Sequence, residues 1–107
     1  MGKELIVYIL FCHWIADFVL QSDWMAKEKS KSNYALLFHC FIYGLTIGIM
    51  TLKPVFGLLC FLIHIPVDYI TSRINAKLWK DGKVHLFFVS IGFDQLIHFA
   101  TLIILFN

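Results

Sequence analysis

The stretch HWIADFVLQ, residues 13–21, places a histidine and an aspartate four residues apart in an otherwise apolar segment. Residues at this spacing lie on one face of a helix, so His13 and Asp17 share a face and Gln21 follows one turn later. Every other side chain in the stretch is apolar. This pattern is typical of a membrane helix that turns one polar stripe toward the interior of a bundle.

The whole chain has the composition of an integral membrane protein. Its 107 residues are 60% hydrophobic and 15% charged, and its mean hydropathy is +0.79. A soluble domain of this size could not bury so much apolar surface. Four apolar stretches reach or approach the roughly 20 residues that cross a bilayer. They predict an all-α, four-helix transmembrane bundle in a single domain, 1–107, with helices at 4–22, 34–52, 54–72 and 84–106.

Basic residues predict the orientation of this bundle. Seven of the nine lie in the two long loops, 23–33 and 72–83, and only Lys3 and Lys53 lie on the other side. The positive-inside rule then places the long loops in the cytoplasm and both termini on the outer side. We therefore expect a multi-pass protein of the bacterial cytoplasmic (inner) membrane. The charge bias is a topology signal and does not indicate a nucleic-acid partner.

Each of the other predicted helices also has a polar stripe. His64 and Asp68 are four residues apart, Asp94 and His98 repeat the spacing in reverse order, and His39 lies alone on the second helix. When depth is counted from the cytoplasmic ends, these groups fall in one layer of the cytoplasmic half. An ionisable group at the centre of a bilayer costs about 2.5–3.5 kcal/mol, so something in the bundle must offset this cost.

Three interpretations explain the stripes. The first is structural, with His–Asp hydrogen bonds joining the helices; the second is proton or metal-ion transport. The third, which the combination of imidazole and carboxylate groups favours, is a metal site of one or two divalent ions, zinc first and manganese or iron next. The three cysteines do not form a CxxC pair and are predicted to be packing residues. The predicted metal ligands are His13, Asp17, His39, His64, Asp68, Asp94 and His98.

The motifs HxxADFxxQ at 13–21 and FDQxxH at 93–98, with HIPVD at 64–68, resemble an uncharacterised family of small polytopic membrane proteins of bacteria and phages. The scatter of His and Asp over several helices is also similar to membrane-bound metal-dependent hydrolases and to the zinc phospholipase C and nuclease class. The first resemblance implies that a set of polar residues is important: His13, Asp17, Gln21, His39, His64, Asp68, Asp94, Gln95 and His98.

Metal-assisted hydrolysis of a phosphoester is the chemistry that such a site would best support. Asp17 is a candidate general base, and Gln21 and Gln95 are candidates for orienting a water or a substrate oxygen. Lipid headgroups could reach the site from the side and soluble phosphoesters from the loops. A homodimer would widen the small core of the bundle. The basic residues predicted to attract an anionic substrate are Lys27, Lys29 and Lys31.

Overall fold

Five α-helices and one π-helical turn form the computed structural model, which describes residues 1–106. No strand occurs among these residues, which confirms the all-α prediction. The segments are α1 at Lys3–Trp14, the π-turn at Ile15–Val19, α2 at Asp23–Glu28, α3 at Asn33–Thr51, α4 at Pro54–Lys80 and α5 at Val84–Phe106.

The first predicted span, 4–22, differs from the structure. Helix α1 ends at Trp14 and continues into the π-turn, where the Leu20 N–H donates to the Ile15 carbonyl five residues earlier at 3.0 Å. The chain then bends at Ser22, whose hydroxyl accepts a hydrogen bond from the Met25 N–H at 3.2 Å and so caps α2. A short helix therefore lies in the segment predicted to be a loop. Because π-turns are rare and concentrate at functional sites, the location of this one around Asp17 is notable.

The third predicted helix, 54–72, is longer in the structure. Helix α4 runs for 27 residues to Lys80, through most of the segment predicted to be a loop. Residues 73–80 contain neither glycine nor proline and include several good helix formers, so the helix continues after the hydrophobicity falls. It stops before Gly82, whose φ of 73° is left-handed. Falling hydrophobicity marks the end of the apolar segment, not the end of the helix.

Helices α3 and α4 form the antiparallel hairpin that the short Lys53–Pro54 connection predicts. Their backbones approach closely where Gly57 faces Gly44 and Gly48. A Cβ added at Gly57 would lie 2.6 Å from both the Gly44 carbonyl oxygen and the Gly48 Cα, so no larger residue fits without displacing a helix. Small residues at such a crossing are typical of membrane helix packing.

The interior of the helical structure has one apolar end and one polar end. The apolar core lies between the end of α3, the beginning of α4, the end of α5 and the second half of α1, and it reaches the polar side chains at Ala16 and Tyr43. Its other members are Ile9, Cys12, Ile47, Phe56, Cys60 and Leu102. Buried polar side chains occupy the opposite end, toward α2 and the C-terminal part of α4. The fold therefore concentrates all the candidate ligands in one half of its length.

Three helices are long and apolar enough to cross a membrane: Asn33–Thr51, Pro54–Lys80 and Val84–Phe106. Large apolar side chains cover their outer faces, for example Phe41, Leu62 and Phe93, each more than half exposed. Such surfaces need an apolar surrounding, and a membrane supplies one. The structure thus supports a membrane location for this all-helical chain.

Candidate metal centre

The structure brings the seven predicted ligands together at the polar end of its interior. Each is between 1% and 7% exposed, although they come from four helices and the π-turn. They are His13 on α1, Asp17 in the π-turn, His39 on α3, His64 and Asp68 on α4, and Asp94 and His98 on α5.

Four of these side chains point ligand atoms at a common centre. His39 Nε2 lies 3.0 Å from Asp17 Oδ1, 3.3 Å from His64 Nε2 and 3.5 Å from Asp68 Oδ2. His64 Nε2 lies 3.5 Å from the same Asp17 oxygen and 4.0 Å from the same Asp68 oxygen. Two imidazole nitrogens and two carboxylate oxygens therefore surround one small volume. Two sets of three residues that include members of this group could each hold a metal ion: His39, His64 and Asp68, and Asp17, His64 and His98.

A second group lies beside the first. Asp94 Oδ1 is 3.2 Å from His98 Nε2, and ligand atoms of both residues lie within 4.8 Å of one on Asp68. The His98 ring stacks on His64 with centroids 4.2 Å apart, which places the two groups side by side. Because Asp68 belongs to both groups, its carboxylate could bridge two ions.

Hydrogen bonds fix Asp94 in this position. The Thr71 hydroxyl donates to Asp94 Oδ1 at 2.7 Å, and the Gln95 amide nitrogen donates to Asp94 Oδ2 at 3.1 Å. Such supporting donors hold a carboxylate ligand in orientation, as the outer shell of a metal site does.

His13 differs from the other histidines because both of its ring nitrogens have partners. Nε2 lies 2.6 Å from Gln95 Oε1 and Nδ1 lies 2.8 Å from the Tyr43 hydroxyl. The Gln95 oxygen only accepts, since the amide nitrogen is directed at Asp94, so Nε2 of His13 is the donor and Nδ1 accepts from Tyr43. In this arrangement the predicted ligand His13 joins Tyr43 to Gln95 and has no nitrogen free for a metal.

Some buried ligand atoms lack a hydrogen bond. Asp68 Oδ2, His98 Nε2 and His64 Nδ1 are fully buried, and none meets a partner with hydrogen-bond geometry among the described residues. Asp68 Oδ2 does lie 3.2 Å from Lys29 Nζ, and His98 Nε2 lies near Asp94 as above, but the angles are unfavourable. Buried polar atoms without partners are costly, and two of these three are candidate ligand atoms.

With neutral imidazoles, the cluster carries more negative than positive charge. Three buried carboxylates face one ammonium group, that of Lys29, whose Nζ lies 3.2–3.3 Å from the two Asp68 oxygens. With neutral imidazoles the cluster has a net charge of about −2, which a divalent ion would neutralise. Lys29 was predicted to attract substrate, and the structure pairs it with Asp68.

A cavity of about 590 Å³ leads to the cluster. Its polar lining includes all three buried aspartates, and the predicted catalytic residues Gln21 and Gln95 lie beside them. The three lysines predicted to attract an anionic substrate line the same cavity: Lys27, Lys29 and Lys31. The site is therefore accessible to a small molecule of the size that protein cavities commonly bind.

Two residues of the site were not predicted from the sequence. Thr71 and Ser72 are buried in the site, three and four residues after Asp68 on the same helix face. Both lie inside the predicted helix 54–72, so their helical spacing from Asp68 was enough to identify them. The Lys29–Asp68 ion pair joins residues far apart in sequence, and no local pattern indicates it. The fifth histidine, His85, is exposed and lies outside the cluster, as its position at the start of the last helix predicts.

The chain belongs to the family DUF3307, whose model is described as a protein of unknown function and matches residues 5–107. No curated protein and no solved structure matches the chain. Because a shared family or fold does not by itself define an activity, the function is inferred from the geometry of the site.

Proposed function

We propose that this protein is a metal-dependent phosphoester hydrolase of the bacterial cytoplasmic membrane. The four longest helical segments would form a transmembrane bundle, with α1 and the π-turn acting together as the first span. Both termini would lie on the outer side, because seven of the nine basic residues lie at the opposite end of the bundle. The candidate metal centre would then lie in the cytoplasmic half of the bilayer.

The observation that most strongly supports this proposal is the close approach of ligand atoms from four side chains. Zinc–ligand distances of about 2.0–2.1 Å require ligand atoms roughly 3.3 Å apart in a regular tetrahedron. Five of the six distances among the atoms of His39, His64, Asp17 and Asp68 lie between 3.0 and 4.0 Å. Hydrogen bonding alone does not favour two imidazole nitrogens directed at one carboxylate oxygen and at each other. We assign the first ion, zinc, to these four residues.

A second ion would bind Asp94 and His98, with the Asp68 carboxylate shared between the two centres. Two ions, one shared carboxylate and an open cavity are the elements of dinuclear hydrolases. Manganese or iron would suit the same ligand types. Two divalent ions exceed the net charge of the protein groups, and an anionic substrate would offset the excess.

Bound ions would lower the pKa of a water molecule and polarise a phosphoryl oxygen. In the reaction, the water oxygen attacks phosphorus, a new P–O bond forms and the ester P–O bond breaks. Asp17 lines the cavity, and its Oδ2, which is not one of these four ligand atoms, would accept the proton of the attacking water. The departing alkoxide takes up a proton from water. Gln21 and Gln95 would orient the water or a substrate oxygen from the cavity wall.

The distribution of buried side chains favours hydrolysis over transport. At the end of the bundle opposite the cluster, the fully buried residues in the described chain are apolar or cysteine, including Ile9, Ile47 and Leu102. A proton or ion path across the bundle would need polar groups along its whole length. A cavity at one end and an apolar core at the other suit an enzyme whose substrate enters and whose product leaves on the same side.

Metal analysis of the purified full chain tests the proposal with a matched pair of histidine variants. We expect about one to two equivalents of zinc, manganese or iron in the wild type and in His85→Asn, and a loss of at least one equivalent in His64→Asn. Hydrolysis of bis(4-nitrophenyl) phosphate or 4-nitrophenyl phosphate should depend on that metal and disappear after chelation.

Two results would overturn the proposal. One is a wild-type protein that takes up no metal under any loading condition, which would leave the polar cluster as a structural contact between helices. The other is a protein that binds metal stoichiometrically, hydrolyses neither ester and moves the metal across liposome membranes, which would identify a transporter.

A further inference from the structure

The cavity that reaches the metal centre has a polar part and an apolar part. The polar part contains the three aspartates and three lysines described above. The apolar part is formed by side chains from the π-turn, the end of α4 and the beginning of α5: Phe18, Trp79, Phe87, Phe88 and Ile91. A small, soluble phosphoester would contact only the polar part, because it has no apolar group to pack against the aromatic wall.

The apolar wall follows one face of α5 toward the site. Phe87 and Ile91 are four residues apart, and Asp94 and Gln95 follow three and four residues later, so all four lie along one face. Seven residues of α-helix cover about 10 Å, which is the distance from the start of the wall to the candidate metal ligand. Phe88, beside this face, is 60% exposed.

The cavity lies between helices that are not packed against each other. Helix α2 packs on α3, and no close backbone contact joins α2 to α4 or α5 among the described residues. The cavity is lined by α2 and the residues after it on one side, and by α4 and the first turns of α5 on the other; α5 is one of the helices apolar enough to cross a membrane. A lipid-like molecule could therefore enter the cavity directly from the hydrocarbon layer of the membrane.

From these features we infer that the substrate is an amphiphile, a phosphoester that bears a hydrocarbon chain and enters from the bilayer. The inference rests on the proposed hydrolase function. The lysines bind the phosphate at the polar end, the ester lies beside the aspartates, and the chain lies against Phe87 and Ile91. Charge complementarity and the apolar wall thus select a membrane phospholipid type of ligand over a free phosphate ester.

The test compares two phosphodiesters with the same scissile bond, methyl and hexadecyl 4-nitrophenyl phosphate, on the metal-loaded full chain in bilayer nanodiscs. Hydrophobic contacts of a bound chain should raise kcat/KM for the hexadecyl ester at least about 100-fold over the methyl ester. The double variant Phe87→Ser with Ile91→Ser should reduce this ratio to less than about tenfold. Phe93→Ala, on the same helix but outside the cavity, controls for partitioning into the bilayer and should keep the ratio.

The outcomes separate this inference from the proposed function. Hydrolysis of both esters at similar kcat/KM would overturn the amphiphile and keep the hydrolase. An equal ratio in all three proteins would also overturn it, since the preference would then come from partitioning alone.

A binding experiment decides the case in which neither ester is hydrolysed. A hexadecyl phosphate with a diazirine in its chain should label residues 76–91 at least about fivefold more than the corresponding diazirine alcohol, because only the former meets the lysines. Selective labelling without turnover would refute the hydrolase and keep the amphiphile site. Equal labelling by both probes would refute the amphiphile phosphate site itself.

Discussion

Replacing Asp17 by asparagine distinguishes a metal site from a structural network of hydrogen bonds. Asp17 Oδ1 lies 3.0 Å from His39 Nε2, and Asp68 Oδ2 lies 3.5 Å from the same nitrogen, so the two carboxylate oxygens are at most 6.5 Å apart. Two like charges at this distance repel by about 3 kcal/mol at an effective dielectric constant of roughly 20. Asparagine keeps the oxygen that accepts from His39 and removes this repulsion.

Without metal, Asp17→Asn should therefore be more stable than the wild type. The Lys29 ammonium beside Asp68 already offsets part of the repulsion, so we expect a gain of about 1–2 kcal/mol, or roughly 5–10 °C in melting temperature. The measurement is thermal unfolding in detergent with a chelator at pH 8.5. Asp81→Asn, which removes an exposed carboxylate, is the matched control and should change little.

With metal, the response should be reversed. An ion at 100 times its Kd stabilises the wild type by about 2.7 kcal/mol. If the variant binds 100-fold more weakly, the same concentration stabilises it by only about 0.4 kcal/mol. The metal-induced rise in melting temperature should thus be large for the wild type and Asp81→Asn and small for Asp17→Asn. A variant that melts below the wild type with chelator and shows an equal metal response would refute the metal interpretation and favour structural hydrogen bonds.

Three further predictions address packing, substrate charge and pH. Gly57→Ala should destabilise the protein by at least about 2 kcal/mol in thermal unfolding, because its Cβ would overlap the facing backbone, whereas Gly92→Ala, with no atom within 4 Å of the added Cβ, should be tolerated. Exchanging the three cavity lysines for glutamine should raise KM for an anionic phosphodiester about tenfold and weaken its dependence on ionic strength; an unchanged KM would exclude a role in attraction. Metal content at equilibrium should fall as the pH is lowered, since imidazole ligands must be deprotonated to bind, and a content that rises at low pH would contradict histidine ligation. The three lysines are Lys27, Lys29 and Lys31.

Local sequence patterns were sufficient to predict much of this molecule. Hydrophobicity located the three long helices, and the Lys53–Pro54 connection predicted the hairpin between two of them. The i, i+4 spacing of His and Asp identified the buried polar stripes before any coordinates, because helical periodicity alone determines which side chains share a face. The polar stripes of the helices were expected to face one another, because an ionisable group exposed to lipid is too costly.

Hydrophobicity was a poor guide where a helix continues outside the apolar region. The C-terminal turns of α4 and the short helix α2 are amphipathic or polar, so their ends are determined by helix propensity and by caps such as Ser22. These signals were present in the sequence.

The tertiary structure decided how the stripes meet. The π-turn at Asp17, the approach of His39 to His64 and the pairing of Lys29 with Asp68 depend on helix rotation and crossing, which spacing along one helix does not determine. His13 shows the difference most clearly. The sequence makes it a candidate ligand, but in the packed structure Nδ1 is hydrogen-bonded to Tyr43 and Nε2 to Gln95. Periodicity selects the face of a helix, but only packing between helices selects the partner that each side chain on that face meets.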